Sequence, residues 1–414
     1  MVTTSINGGS AKENNELASA AAALFLGGNE VGERFWPTFA ALRETAPVYY
    51  FEGGGFWIVT GLEECRAVLG SSAARIGYVR RNDAMTPSWR DHRSKISLSE
   101  WFGHWDEPEH MDARKVLQEF FMPKAVESYR TQLSGVIREL VAQFKADGGG
   151  EFRDKVTYRI TTKVTSVLLG VPESMYSELI PLIGDLMQAF EFTLSEDAWQ
   201  RADRAAIKLR EYWRAEVGLR ASQHGGDDIV SRLMRQGTLA PERIAAIGEN
   251  LLAAAFDTTA HTGANCLYAL LSNPEQLELA RRDAAARASV IEETLRLYSA
   301  APAVARVVDQ PIVVGGTTIP AGATVIVCIG AANRDPRVFQ DAARFDLRRP
   351  KGKAIAFAQG GSHVCLGQWL ARLVLGMLCD EVLAQWKYVE IVGDQPRFQG
   401  LSLRVLDKLE LRVQ

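Results

Sequence analysis

No stretch of this sequence reaches the roughly eighteen uninterrupted apolar residues that a membrane-spanning helix needs. Its first apolar stretch, Ala18–Phe25, is too short and lacks the basic flank of a secretory signal. Neither a membrane anchor nor export is expected. An excess of one charge is also missing. The net charge is −3 with 23% charged residues, which excludes a nucleic-acid partner held by an overall basic field. Cysteine is sparse: Cys65, Cys266, Cys328, Cys365 and Cys379 are odd in number and lack the close, repeated spacings of a disulfide framework or a zinc site. The expected compartment is therefore a reducing cytoplasm, and all but Cys365 read as small buried apolar side chains. Internal repeats, low-complexity tracts and linker-like segments are absent too, so the 414 residues are expected to form one large unit.

What is present is a 47% apolar chain, enough to bury a substantial core and enclose a cofactor. Val48–Tyr50 and Phe56–Val59, separated by Gly53-Gly54-Gly55, read as a β-hairpin. From Pro108 to about Thr262 the pattern is mainly helical, punctuated by Pro123 and Gly148-Gly149-Gly150, with an exposed loop at Ser222–Asp227. Glu242–Leu271 is one long helix, apolar on nearly every face around Leu251–Phe256, and such a helix belongs in the middle of a protein. After a further helix, Ser289–Tyr298, come β segments at Ile312–Val314, Thr317–Ile319 and Thr324–Ile329. A long coil runs to Ala356, a helix follows at Gln368–Trp386, and two strands close the chain, Leu401–Leu406 and Lys408–Val413. The fold class is mainly α with small β-sheets, an α+β arrangement. Residues 1–17 are expected to be a disordered N-terminal segment and residues 18–414 a single domain.

One cysteine differs from the rest by its neighbourhood. Phe357-Ala-Gln-Gly-Gly-Ser-His363-Val-Cys365-Leu-Gly367 lies directly before the helix starting near Gln368. The free N–H groups of that helix end favour a thiolate at Cys365. Gly360, Gly361 and Gly367 remove side chains where a flat macrocycle would lie against backbone. This stretch resembles the haem-binding signature of the cytochrome P450 family, Phe-Gly-x-Gly-x-His-x-Cys-x-Gly. Gly361 to Gly367 fit it position by position. Upstream it departs: Ala358 stands at the aromatic position, Gln359 replaces a glycine, and Phe357 is one residue early. Either Ala358 is a substitution or a one-residue bulge restores Phe357.

Other segments match the same family in order. Ala254-Ala255-Phe256-Asp257-Thr258-Thr259 resembles its Ala-Gly-x-Asp/Glu-Thr-Thr element. An acid and a hydroxyl in mid-helix among apolar residues are costly without a purpose, and proton delivery to bound oxygen is one. The resemblance makes Asp257 and Thr258 catalytic. It identifies Glu293, Arg296 and Arg349 as a structural triad, and makes His110, Arg114, Arg306 and His363 partners of the haem propionates. The histidine often found before the cysteine loop is absent, and Lys353 is the nearest cation there. His92, His104, His224 and His261 match no ligand pattern and read as surface or packing residues.

The family resemblance implies a cytochrome P450 fold with the long helix over haem b, and Cys365 as axial ligand of its iron. The implied activity is a monooxygenase that inserts one oxygen atom from O2 into an apolar or aromatic substrate. Electrons would pass from NAD(P)H through a ferredoxin reductase and a ferredoxin to this chain, a monomer. Lys115 and Arg372 are expected to meet that acidic partner. Substrate walls are expected in Thr86–Trp105, Leu186–Phe192, Ala253–Phe256, Ala301–Val304 and Ser402–Val405, with Ala254, Ala301 and Val304 nearest the chemistry. Trp89, Trp101 and Trp105 are candidates for an entrance. Two alternatives stay open. A haem-thiolate peroxygenase or isomerase needs no electron donor, and Asp257-Thr258 speaks against it. A non-catalytic fold relative would activate a partner enzyme, and Cys365 speaks against that.

Overall fold

The computed structural model describes residues 11–26, 32, 34–222 and 226–414. Its axis is the helix Pro241–Leu271, opened by proline at the first turn, where a missing N–H costs nothing. Buried residues occur on every face of it, from Ile244 to Asn250 and again from Ala260 to Leu267. A helix with no polar stripe must be surrounded, and the helices Tyr158–Leu169, Glu196–Ser222 and Gln368–Gln385 pack against it. The helix Pro123–Ala146 in turn packs against Gln368–Gln385. Among the described residues no helix is long and apolar enough to cross a membrane.

The hairpin forms as expected, with Val48 opposite Val59 and Phe51 opposite Phe56. It seeds a five-stranded sheet in the order Val48–Phe51, Phe56–Val59, Thr324–Val327, Val304–Val308, Ala74–Arg75. Only the pairing of Phe56–Val59 with Thr324–Val327 is parallel. This sheet carries Arg306 on a strand next to the cavity described below.

Three expectations need correction. Gly148-Gly149-Gly150 is more than punctuation. Gly149–Glu151 is a strand that pairs with Glu410–Val413, and a Cβ at Gly149 would meet the Leu411 carbonyl oxygen at 2.0 Å. The strand expected over Leu401–Leu406 shrinks to Val405–Leu406, paired with Phe398–Gln399. A turn hinged at Gly400 (φ +83°) interrupts it and brings Ser402 to the cavity. At the N-terminus a helix spans Ala11–Leu26, so it takes in part of the segment expected to be disordered. Residues 1–10, like His224 in the 222–227 loop, lie outside the described residues.

Candidate active site

The coil after Ile355 passes through a series of turns before the helix Gln368–Gln385, and Cys365 stands just ahead of the last of them. Its N–H donates to the Phe357 carbonyl (3.0 Å), while the Phe357 N–H donates to the Gln359 side chain (3.0 Å). Between them Ala358 takes φ +54°, the left-handed region that costs a residue with a Cβ about 1–2 kcal/mol. The turn keeps Phe357 beside the cysteine cavity, with the Arg372 guanidinium 4.5 Å above its ring. This is the bulge alternative. The glycines serve the backbone more than a cofactor. A Cβ at Gly361 would meet the Leu69 carbonyl oxygen at 2.3 Å, and Gly360 sits at φ +135°. Only Gly367 fits the original expectation, since a Cβ there would meet no protein atom within 4 Å.

Of the five cysteines, four are buried and Cys365 alone is exposed. Its exposure is to a cavity of about 840 Å³ rather than to bulk solvent. Burial pushes its thiol above the ordinary range, against the Gly367 N–H and the charges of Arg114 and Arg372. The Gly367 N–H at the helix end thus works with Arg114 and Arg372 against burial, in the direction that favours a thiolate.

Across the cavity lies the middle of the long helix. Ala254, Ala255, Thr258 and Thr259 line it. The Thr258 hydroxyl donates to the Ala254 carbonyl (2.6 Å), and the Thr262 hydroxyl to the Thr258 carbonyl (2.7 Å). Asp257 points elsewhere. It is buried, not part of the cavity wall, and its carboxylate lies 3.1 Å from His261 Nε2. The Tyr158 hydroxyl approaches both, at 3.4 Å from Asp257 and 3.3 Å from His261. His261 is thus no mere packing residue. Its spacing of four from Asp257 was the available signal, since i and i+4 share a helix face; Tyr158, a hundred residues away, offered none.

At the cavity edge, His110 and His363 stack with ring centroids 3.6 Å apart. His110 Nδ1 and His363 Nε2 are buried without a hydrogen-bond partner among the described residues. Burial lowers both pKa values, to about 4 for His110 and about 3 for His363, and nearby arginines add to the effect. Arg114 also faces the cavity, and Arg306 does so from a buried position that brings its pKa down to about 10. Glu107 stands beside them; burial acts to raise its pKa, but Ser362, its own backbone and Arg75 hold it at about 2. Two orphaned imidazole nitrogens and two guanidiniums on one rim are what a pair of carboxylates would satisfy. Haem b carries such a pair, and the residues present fit it.

The triad assembles behind this coil. Arg296 Nε and Nη2 donate to the Glu293 carboxylate (2.8 and 2.7 Å), and Arg349 Nε donates to it at 3.1 Å. Arg296 also donates to the carbonyls of Asn333, Ala342 and Arg344. Ala301 and Val304 line the cavity as expected. Other expectations fail. Trp89, Trp101 and Trp105 are not in the wall, because their indole N–H groups are tied to Asp83, Glu249 and the Glu100 carbonyl. Trp199, from the helix Glu196–Ser222, reaches the wall instead. Lys353 is exposed and outside the cavity, so it is no cation for the cofactor. His92 lies beside Asp203, and His104 is sandwiched between Tyr78 and Trp101.

A model described as cytochrome P450 matches residues 288–406. The 6-deoxyerythronolide B hydroxylase of Saccharopolyspora erythraea is 30% identical, covering 92% of this chain and 96% of its own. The cytochrome P450 monooxygenase PikC of Streptomyces venezuelae is 30% identical over 82% of this chain and 80% of its own. Among solved structures, P450BioI in complex with an acyl carrier protein ligated to hexadec-9Z-enoic acid superposes with a TM-score of 0.85. It is 27% identical and covers 92% of this chain and 98% of that one. Cysteine, mid-helix threonine and carboxylate-seeking rim line one cavity with the buried triad behind it, and relatives matched over 80% or more of their own length are a hydroxylase and a monooxygenase: this chain belongs to the cytochrome P450 family of haem-thiolate monooxygenases.

Proposed function

We propose that Cys365 is the axial thiolate of haem b and that the chain oxygenates an apolar or aromatic substrate of some bulk. The observation that supports this most directly is the cavity itself, which brings Cys365, Thr258, Arg114, Arg306, His110 and His363 together around one space. The haem, when bound, supplies the iron that binds and reduces O2 with electrons from a separate partner. The protein's own residues do the rest. His110, Arg114, Arg306 and His363 hold the two propionates, and Glu293, Arg296 and Arg349 keep the coil behind them rigid. Ala254, Ala301 and Val304 leave room for substrate beside the oxygen site.

Proton supply falls to Thr258 and Asp257. The Thr258 hydroxyl sits at the cavity face, where it orients a water and passes a proton inward. Asp257 exchanges protons on the side away from the cavity, with His261 and Tyr158 as the groups its carboxylate meets there. Asp257→Asn keeps the volume but cannot exchange protons. Product formation should fall about 100-fold, the lower end of what general acid catalysis contributes. NAD(P)H consumption should continue and end in hydrogen peroxide. A variant with unimpaired coupling of product to NAD(P)H would remove Asp257 from the relay.

The electron donor in this proposal is a ferredoxin served by its reductase, and the working form is a monomer in the cytoplasm, where free thiols persist. Of the two cations expected to meet it, Arg372 is engaged by Glu292 at 2.6 Å, so Lys115 is the one left exposed. The haem-thiolate assignment is tested by reducing the purified protein under carbon monoxide. The long-wavelength band of thiolate ligation is expected; its absence in folded, haem-loaded protein would refute the assignment. Turnover driven by peroxide and indifferent to reduced ferredoxin would favour a peroxygenase.

A further inference from the structure

Four cations line the cavity: Arg81, Lys95, Arg114 and Arg306. The only carboxylate in the wall, among the described residues, is Glu191. It is occupied elsewhere, accepting the N–H groups of Ser402 (3.2 Å) and Leu403 (3.5 Å), and burial raises its pKa. On the haem assignment above, two propionates answer Arg114 and Arg306. Two positive charges remain.

Neither has an acidic partner among the described residues. The contrast with their neighbours is sharp. Arg75 pairs with Glu107 and Asp309, Arg80 with Asp309 and Asp106, and Arg90 with Asp83. Arg81, in the same helix Tyr78–Met85 as Arg80, rests its guanidinium 4.9 Å from the Tyr78 ring. Lys95 is buried, its ammonium 5.6 Å from the Trp199 ring. Burial and the nearby Arg81 charge bring its pKa down to about 8. Both charges also act on half-buried His104, whose pKa desolvation already lowers to about 3. An apolar cavity that keeps two unanswered cations in mutual repulsion stores a preference for an anion.

We propose that Arg81 and Lys95 form a subsite for an anionic group, so that the substrate is an apolar molecule carrying a carboxylate or similar oxyanion. Arg81 comes from the helix Tyr78–Met85 and Lys95 from the helix Arg93–Ser99. The subsite therefore holds one end of the substrate and leaves its apolar part to reach the wall of Ala254, Ala301 and Val304. This deepens the monooxygenase reading and rests on it.

The test uses the holoenzyme and a graded series of ω-(imidazol-1-yl)alkanoic acids with their methyl esters. The imidazole anchors on the iron whatever the natural substrate is, and the Soret shift reports binding. At the best tether length the acid should bind about ten-fold tighter than its ester, as a charge-assisted contact requires. The double variant Arg81→Gln, Lys95→Met should equalise acid and ester while ester affinity and haem content stay unchanged. Arg81→Lys should preserve the preference. Acids binding no better than esters at every tether would overturn the proposal. So would loss of haem in Arg81→Gln with the acid preference intact, since Arg81 would then serve a propionate. A purified, folded protein with no Soret band after haem supplementation would instead overturn the haem assignment beneath it.

Discussion

Replacing Cys365 by serine is expected to abolish the long-wavelength band of the reduced, CO-bound protein and to lower product formation by at least about 10³-fold, or about 4 kcal/mol of barrier. Serine offers a hard, weakly donating oxygen where oxygen cleavage needs an electron-rich sulfur. The fold should survive. The Cys365 side chain faces the cavity rather than the core, and the turn around it is held by the Phe357 carbonyl and the Gln359 side chain. A control sharpens the result. Cys379 is buried on the helix that follows, Gln368–Gln385, so Cys379→Ala should cost stability and leave the band in place. Visible spectra and thermal denaturation of both variants separate ligand from packing. A retained band in Cys365→Ser would end the assignment of this sulfur.

Glu293→Gln should be the most damaging change away from the cavity. The carboxylate answers Arg296 and Arg349 and also accepts the Asp346 N–H at 3.0 Å. Glu293 and Arg296 are 5% and 2% exposed, so water cannot take over. Removing one partner of a buried pair typically costs about 3–5 kcal/mol, a large share of a total stability of about 5–15 kcal/mol. The released guanidinium of Arg296 also organises the carbonyls of Asn333, Ala342 and Arg344, in the coil that leads to the cysteine turn. Lower yield, a lower Tm and partial loss of haem are expected, with activity per bound haem preserved. Unchanged Tm with full haem occupancy would show the triad to be dispensable. Activity per haem falling in step would place Glu293 in the chemistry instead.

The two predictions differ in how visible their residues were beforehand. Cys365 stood out because a cysteine among glycines before a helix is a local pattern, and local patterns survive in one dimension. The triad was harder. Glu293 and Arg296 occur three apart on one helix, but many surface helices show that spacing, and Arg349 lies fifty-six positions further on. Only the family's order of motifs singled the set out. His261 shows the reverse failure. It was one helical turn from Asp257, yet a histidine in an apolar helix reads as packing until its ring is seen 3.1 Å from the carboxylate.

What could be read from residue order was what depends on neighbours a few positions apart. The apolar periodicity defined the long helix within a residue at its start, the hairpin at Val48–Val59 emerged in register, and the cysteine turn, the Asp257-Thr258 pair and the family were all legible. Elements whose identity depends on a distant partner were not. Gly149–Glu151 is a strand because Glu410–Val413 lies beside it. Phe357 rather than Ala358 serves as the aromatic because the backbone turns through φ +54°. The tryptophans expected at an entrance are withdrawn by hydrogen bonds to Asp83, Glu249 and Glu100, while Trp199 takes the wall. Charge shows the division most plainly. Composition counts 47 basic residues against 50 acidic ones, an ordinary balance. Folding pairs Arg75, Arg80 and Arg90 with acids and leaves Arg81 and Lys95 facing the cavity without one among the described residues. Which charges are answered depends on three-dimensional neighbours and on exclusion of water, and neither exists until the chain has packed.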